Sequence, residues 1–142
     1  MESKELKNII PIQSIWEDLD LLEDRLIEIS SSSDPYLTEI SQYLISAGGK
    51  RFRPLIALLA GKLGEGDNKK VIDAGVSVEL IHLGSLYHDD VIDDATTRRG
   101  VVSTNKQWNS TLAILAGDYL LARSSELAAE SLGLESVKLL AS

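Results

Sequence analysis

Apolar side chains recur at intervals of three and four along most of this chain, a spacing that selects helices over strands. Ile12, Ile15, Trp16, Leu19, Leu22, Leu26 and Ile29 line one such face. The run Ser30-Ser31-Ser32-Ser33-Asp34-Pro35 breaks it and places a capping side chain and a first-turn proline ahead of a second helix over residues 36–47. Gly48-Gly49 closes that helix, Pro54 opens a third reaching Leu63, and Gly64-Glu65-Gly66 ends it. A long helix then starts at Asp67 or Asn68 and runs to Asp94, on the order of 40 Å at 1.5 Å per residue. Another apolar helix covers residues 111–132, and one more begins at Glu135. Three prolines, 5% aromatics and no alternating pattern leave nothing for a sandwich or barrel. The expected class is all-α.

The 142 residues suit one compact domain, with residues 1–11 expected as a loosely ordered tail. The pattern stops within Ser136–Ser142 without a cap, which fits either a frayed natural terminus or a partial, truncated bundle. A net charge of −8 and a pI near 4.7 argue against nucleic acid as a partner. The absence of cysteine excludes disulfides, Cys-ligated zinc and thiol catalysis. The start MESKELKNII is too charged for a secretory signal, and no apolar run reaches a membrane span. A soluble, cytoplasmic chain is the expectation.

Two groups of charges sit at the wrong helix ends. Lys50, Arg51 and Arg53 precede Pro54, where unpaired backbone N–H groups are already electropositive, and Asp89, Asp90, Asp93 and Asp94 crowd the carbonyl end of the long helix. Each such charge costs about 0.3–1 kcal/mol when exposed. An anion bound at residues 50–54 and a cation at 89–94 would offset the cost. Carboxylates without His or Cys suit Mg²⁺, which takes one or two of them and completes its shell with water and phosphate. Asp89 and Asp93 are i and i+4, on one face. His82, seven residues before Asp89, shares that face, whereas His88 has no such register and reads as structural. Gly84 and Ser85 lie one turn above the aspartates, where small side chains either leave a channel open or permit close helix packing. Asp118 reads as a buried hydrogen-bonding group in an apolar helix.

The ordered segments Gly48-Gly49-Lys50-Arg51-Phe52-Arg53-Pro54, Glu79-Leu80-Ile81-His82, His88-Asp89-Asp90-Val91-Ile92-Asp93-Asp94, Arg98-Arg99-Gly100 and Leu115-Ala116-Gly117-Asp118-Tyr119-Leu120 resemble the N-terminal half of a trans-isoprenyl (polyprenyl) diphosphate synthase. The resemblance implies an isoprenoid-synthase-type helical bundle, a homodimer packed through residues 111–132, and Mg²⁺ as cofactor. It implies Asp89, Asp90 and Asp93 as the catalytic first aspartate-rich motif, with Asp89 and Asp93 as metal ligands. Arg98 would hold the allylic prenyl diphosphate, while Lys50, Arg53, His82 and Arg99 would hold isopentenyl diphosphate. Bulky residues one turn above the motif limit product length in such enzymes, so Gly84 and Ser85 imply a medium or long product, with Ile81 and Val78 as further candidate stops. The second aspartate-rich motif and further diphosphate contacts of the family's C-terminal half are not among these residues. Little activity is therefore expected of this chain alone. Val101-Val102-Ser103-Thr104 lacks a proline that many relatives carry, leaving that loop's shape open. The competing readings are a non-catalytic subunit of a heteromeric synthase and a helical scaffold with solvated charges.

Overall fold

The computed structural model describes residues 3–142, and it is built almost entirely of helices: α1 (Ser3–Ile9), α2 (Gln13–Ser30), α3 (Pro35–Ser46), α4 (Phe52–Gly61), α5 (Asn68–Ile92), α6 (Thr104–Gln107), α7 (Ser110–Leu127) and α8 (Leu134–Ala141). Helix α5 is the axis of the bundle, packing against α2, α4 and α7. Its Val76, Leu80, Leu83 and Tyr87 are fully buried, as are Leu22 and Leu26 of α2 and Ala116 and Leu120 of α7. Burying each leucine contributes about 1.5–3 kcal/mol. Tyr87 carries a hydroxyl into this core and donates it to Ile40 O at 2.5 Å.

The expected starts of three helices coincide with side-chain caps. Asp34 accepts from Tyr36 N at 2.8 Å with Pro35 in the first turn, Asp67 from Lys69 N at 2.9 Å, and Asn109 from Leu112 N at 2.8 Å. Helix α4 begins at Phe52, two residues before Pro54, because Arg51 takes a left-handed conformation (φ 50°) and caps it through the backbone.

Two expectations need revision, and the loop left open takes a definite shape. Of the loose tail expected over residues 1–11, residues 1 and 2 lie outside the described residues, while over the rest α1 forms and buries Leu6, and the Trp16 indole N–H donates to Ile10 O at 2.9 Å. Residues 128–132 of the expected continuous helix form a π-helical turn, whose extra residue brings Ser131 Oγ to 2.5 Å from Asp73 Oδ2. A hairpin of two-residue strands, β1 (Thr97–Arg98) and β2 (Val101–Val102), follows α5. Its turn residues Arg99 and Gly100 both have positive φ, 52° and 78°, matching the twist of tight hairpins. Among the described residues no helix is long and apolar enough to cross a membrane.

Candidate active site

The turn between α3 and α4 brings two guanidiniums together. A Cβ at Gly49 (φ 154°) would stand 2.8 Å from Arg51 Nη1 and 2.9 Å from Arg99 Cζ, so a side chain there would collide with both. Arg51 is buried and points inward. Its Nη2 lies 3.2 Å from Glu23 Oε2 and 3.2 Å from Ile45 O, and its Nη1 3.4 Å from Glu79 Oε1. Arg99 reaches the same carboxylate at 3.7 Å and donates to Leu44 O at 3.0 Å and to Gly48 O. Lys50 and Arg53 are exposed and make no ion pair among the described residues.

Lys50, Arg51, Arg53, Arg99, Glu79 and His82 line a pocket of about 470 Å³. Four cations and one carboxylate, Glu79, line it, with Glu23 paired to Arg51 outside the lining, so the pocket is positive in a chain of net charge −8. Burial pushes Glu79 above the usual carboxylate range, and the Arg51, Arg99 and Arg53 guanidiniums oppose that rise. His82 is held below its ordinary value by burial and by Arg53 and Arg99. Burial and the neighbouring Arg51 lower Arg99 as well. Burial is the first cause of all three shifts; at His82 and Arg99 the neighbouring guanidiniums add to it, a crowding of positive charge that an anion relieves.

Arg53 and His82 also border a second, apolar cleft of about 610 Å³ between α4, α5 and α8. Ile56 and Ala60 form one wall, Val78, Ile81 and Ser85 another, and Leu139 and Leu140 a third. Ser85 is where an open channel requires it. Gly84 is not: a Cβ there would meet Gly117 O at 3.0 Å and Leu121 Cγ at 3.0 Å. Gly84 faces α7 and permits the close crossing of α5 and α7, so its role is packing.

The aspartates divide among different tasks. Asp90 is fully buried, and Arg98 binds it through Nε at 3.0 Å and Nη2 at 2.5 Å. That hydrogen bond, more than any other influence, raises Arg98 above its ordinary value. Asp94 accepts from Lys106 Nζ at 2.6 Å. Asp89 and Asp93 are exposed and make no ion pair among the described residues; they lie one turn apart, with Asp93 N bonded to Asp89 O at 2.8 Å. Among the described residues no three His, Asp or Glu side chains converge as a metal group. Two free carboxylates at i and i+4 therefore offer part of a shell, a donor set that fits Mg²⁺ completed by water and phosphate. Asp118, expected to be buried, is 60% exposed and lies 3.2 Å from His88 Nε2, which also approaches Ile114 O at 3.1 Å.

Sequence reasoning missed Glu23 and Glu79 as anchors of the arginines. Glu79 is 2% exposed on an otherwise apolar stretch of α5, and a lone acid in such a stretch is the available signal. A cationic pocket opening onto an apolar cleft suits a ligand with an anionic head and a hydrocarbon tail.

Residues 34–142 match the family model described as Polyprenyl synthetase. The chain is 49% identical over 110 residues to the nonaprenyl diphosphate synthase of Mycobacterium tuberculosis, covering 77% of this chain and 32% of that protein. It is 43% identical over 111 residues to heptaprenyl diphosphate synthase component 2 of Bacillus subtilis, covering 78% and 32%. Its fold superposes with a TM-score of 0.85 and 32% identity on a Caulobacter crescentus CB15 polyprenyl synthase complexed with calcium and isoprenyl diphosphate, covering 91% of this chain and 39% of that one. The chain belongs to the polyprenyl synthetase family. It spans about a third of the length of these curated relatives.

Proposed function

We propose that this chain supplies the isopentenyl diphosphate pocket, the first metal-binding aspartates and part of the chain cavity of a polyprenyl diphosphate synthase. The observation that carries the reading is the junction at Arg53 and His82, which border both the cationic pocket and the apolar cleft. Lys50, Arg53 and Arg99 hold the isopentenyl diphosphate head, and His82 adds a polar contact. Glu79 and Glu23 keep Arg51 and Arg99 in place before the ligand arrives. Asp90 fixes Arg98 by a two-nitrogen grip, and Arg98 in turn faces the allylic prenyl diphosphate. Asp89 and Asp93 would hold Mg²⁺, which when bound would supply charge neutralisation for the departing diphosphate. As the allylic C–O bond ionises, the guanidiniums stabilise the charge growing on the leaving group. The isopentenyl double bond then attacks the allylic cation, and loss of a proton gives a product one isoprene unit longer. The apolar walls keep water from quenching the cation. An open Ser85 position supports a medium or long product.

The relatives are about three times as long, so these 142 residues carry little turnover alone. A homodimer through α7, where Ile114 and Leu115 are 41% and 53% exposed, fits the reading. A relative named as component 2 supports a second one, in which a separate subunit partners this chain in a heteromeric synthase. Titration with inorganic diphosphate and Mg²⁺ tests the site. At a hundredfold excess over Kd, binding stabilises by about 2.7 kcal/mol, visible as a higher melting temperature that Lys50→Ala with Arg53→Ala abolishes. An equal response from that double variant would refute the assignment.

A further inference from the structure

Helix α1 is lightly held, and what holds it lies behind the cationic pocket. Leu6 is the one buried side chain between Lys4 and Ile9, and it stands outside the cluster of buried apolar residues that forms the bundle core. It closes a cavity of about 210 Å³ instead, together with Trp16, Leu19 and Glu23 of α2 and with Gly49, Lys50 and Arg51. The last three also line the cationic pocket, so the 49–51 segment is a wall with α1 and α2 at its back and the pocket at its front. Trp16 tethers the end of α1: its indole N–H donates to Ile10 O at 2.9 Å, and Lys7 Nζ stands 5.6 Å from its ring centroid. Arg51 takes a positive φ that its side chain resists, so the shape of the wall depends on what surrounds it.

We infer that α1 is a strap whose docking holds the 49–51 segment in its anion-binding shape, with Leu6 as the positioning residue and the Glu23–Arg51 pair as the link. The inference rests on the reading that the cationic pocket takes a diphosphate head. A helix of seven residues is not stable alone in water, so α1 persists only while docked. Docked, it shields the back of the Glu23–Arg51 pair, and an ion pair sheltered from water holds its guanidinium more firmly than a solvated one. With α1 lifted, water reaches the half-buried Glu23, Arg51 loses its fixed partner, and the left-handed turn relaxes. Lys50 and the Gly48 carbonyl that receives Arg99 then lose their preset positions, and diphosphate has to order the segment as it binds. Such coupling is reciprocal: bound diphosphate tightens α1 by the factor by which docked α1 tightens diphosphate.

Inorganic diphosphate, titrated calorimetrically without Mg²⁺ into the 142-residue chain and into Leu6→Ala and Leu6→Met, reads one direction of the coupling. Leu6→Ala raises Kd at least about fivefold, Leu6→Met binds like the parent, and thermal melts confirm that both variants fold. Hydrogen exchange reads the other direction and needs no variant. Saturating diphosphate slows the amides of α1 at least about fivefold, while those of α8, which also lies at the edge of the bundle and contributes no buried residue, keep their rates. Equal affinity in the parent and Leu6→Ala, a loss as large in Leu6→Met, or α1 exchange indifferent to diphosphate would overturn the inference and leave the head-group site standing. A parent that binds no diphosphate would overturn that site, and the strap with it.

Discussion

Gly84 and Ser85 are neighbours on α5 with opposite surroundings, and substituting each separates packing from ligand space. A Cβ at Gly84 meets Gly117 O and Leu121 Cγ, each at 3.0 Å, and the first of these is backbone that cannot rotate away. Valine adds two methyl groups beyond that Cβ. Overpacking of this kind costs about 1–3 kcal/mol, while replacing glycine within a helix returns only a few tenths of a kcal/mol for a β-branched residue. The net loss for Gly84→Val is therefore about 1–3 kcal/mol. Unfolding entropy of about 2.1 cal/mol/K per residue gives roughly 0.3 kcal/mol/K for 142 residues. The melting temperature falls by about 3–10 °C. Ser85 is half-buried and donates Oγ to His82 O at 2.7 Å within its own helix. Ser85→Leu extends into the cleft, leaves stability within about 1 kcal/mol, and weakens binding of a prenyl alcohol by at least about tenfold. Thermal melts and calorimetry on both variants decide the matter. If Gly84→Val melts like the parent while losing prenyl binding, the faces have been assigned the wrong way round.

Asp90→Asn breaks a buried ion pair and costs about 3 kcal/mol, near the low end for such pairs, because Arg98 remains 31% exposed. Asp89→Asn and Asp93→Asn relieve charge at a helix C-terminus, raise stability by up to about 1 kcal/mol each, and remove the Mg²⁺-dependent part of diphosphate binding. Urea titrations that show equal losses at residues 89 and 90 would refute that division. His82, held below its ordinary value by burial and by Arg53, takes its proton less readily in the fold than in the unfolded chain, so the ligand-free fold loses stability on acidification. A bound anion cancels that field and lets the ring take a proton. Sulfate, whose charge is constant there, binds more tightly as pH drops from about 7.5 to about 5.5, and His82→Gln flattens the dependence.

The helices were legible because their apolar spacing and their Asp34 and Asp67 caps are local. The hairpin was not: strands of two residues carry no alternation, and Arg99 reaches positive φ only with partners 51 and 55 positions away, at Gly48 and Leu44. The opposite fates of Asp89 and Asp90 were likewise hidden. A stretch of four aspartates does not say which one turns inward, since that depends on Arg98 folding back from the hairpin.

Much of the site nevertheless reduces to the rotation of α5. At about 100° per residue, Val78, Ile81, His82, Ser85, Asp89 and Asp93 fall within one arc of about 120°, which carries the cleft wall, the pocket junction and the two free carboxylates. Glu79 and Asp90, eleven residues apart, nearly coincide on the adjoining, buried arc. They are about 16 Å apart along the axis, and each receives one member of the Arg98-Arg99 pair. Adjacent arginines can serve anchors so far apart because successive side chains on an extended strand point opposite ways, Arg98 ending β1 and Arg99 opening the hairpin turn with positive φ. The strain of a left-handed Arg99, about 1–3 kcal/mol, is offset by its bonds to Leu44 O and Gly48 O. One buried helix face thus fixes both guanidiniums, and the neighbouring face presents the carboxylates and the apolar wall they act beside.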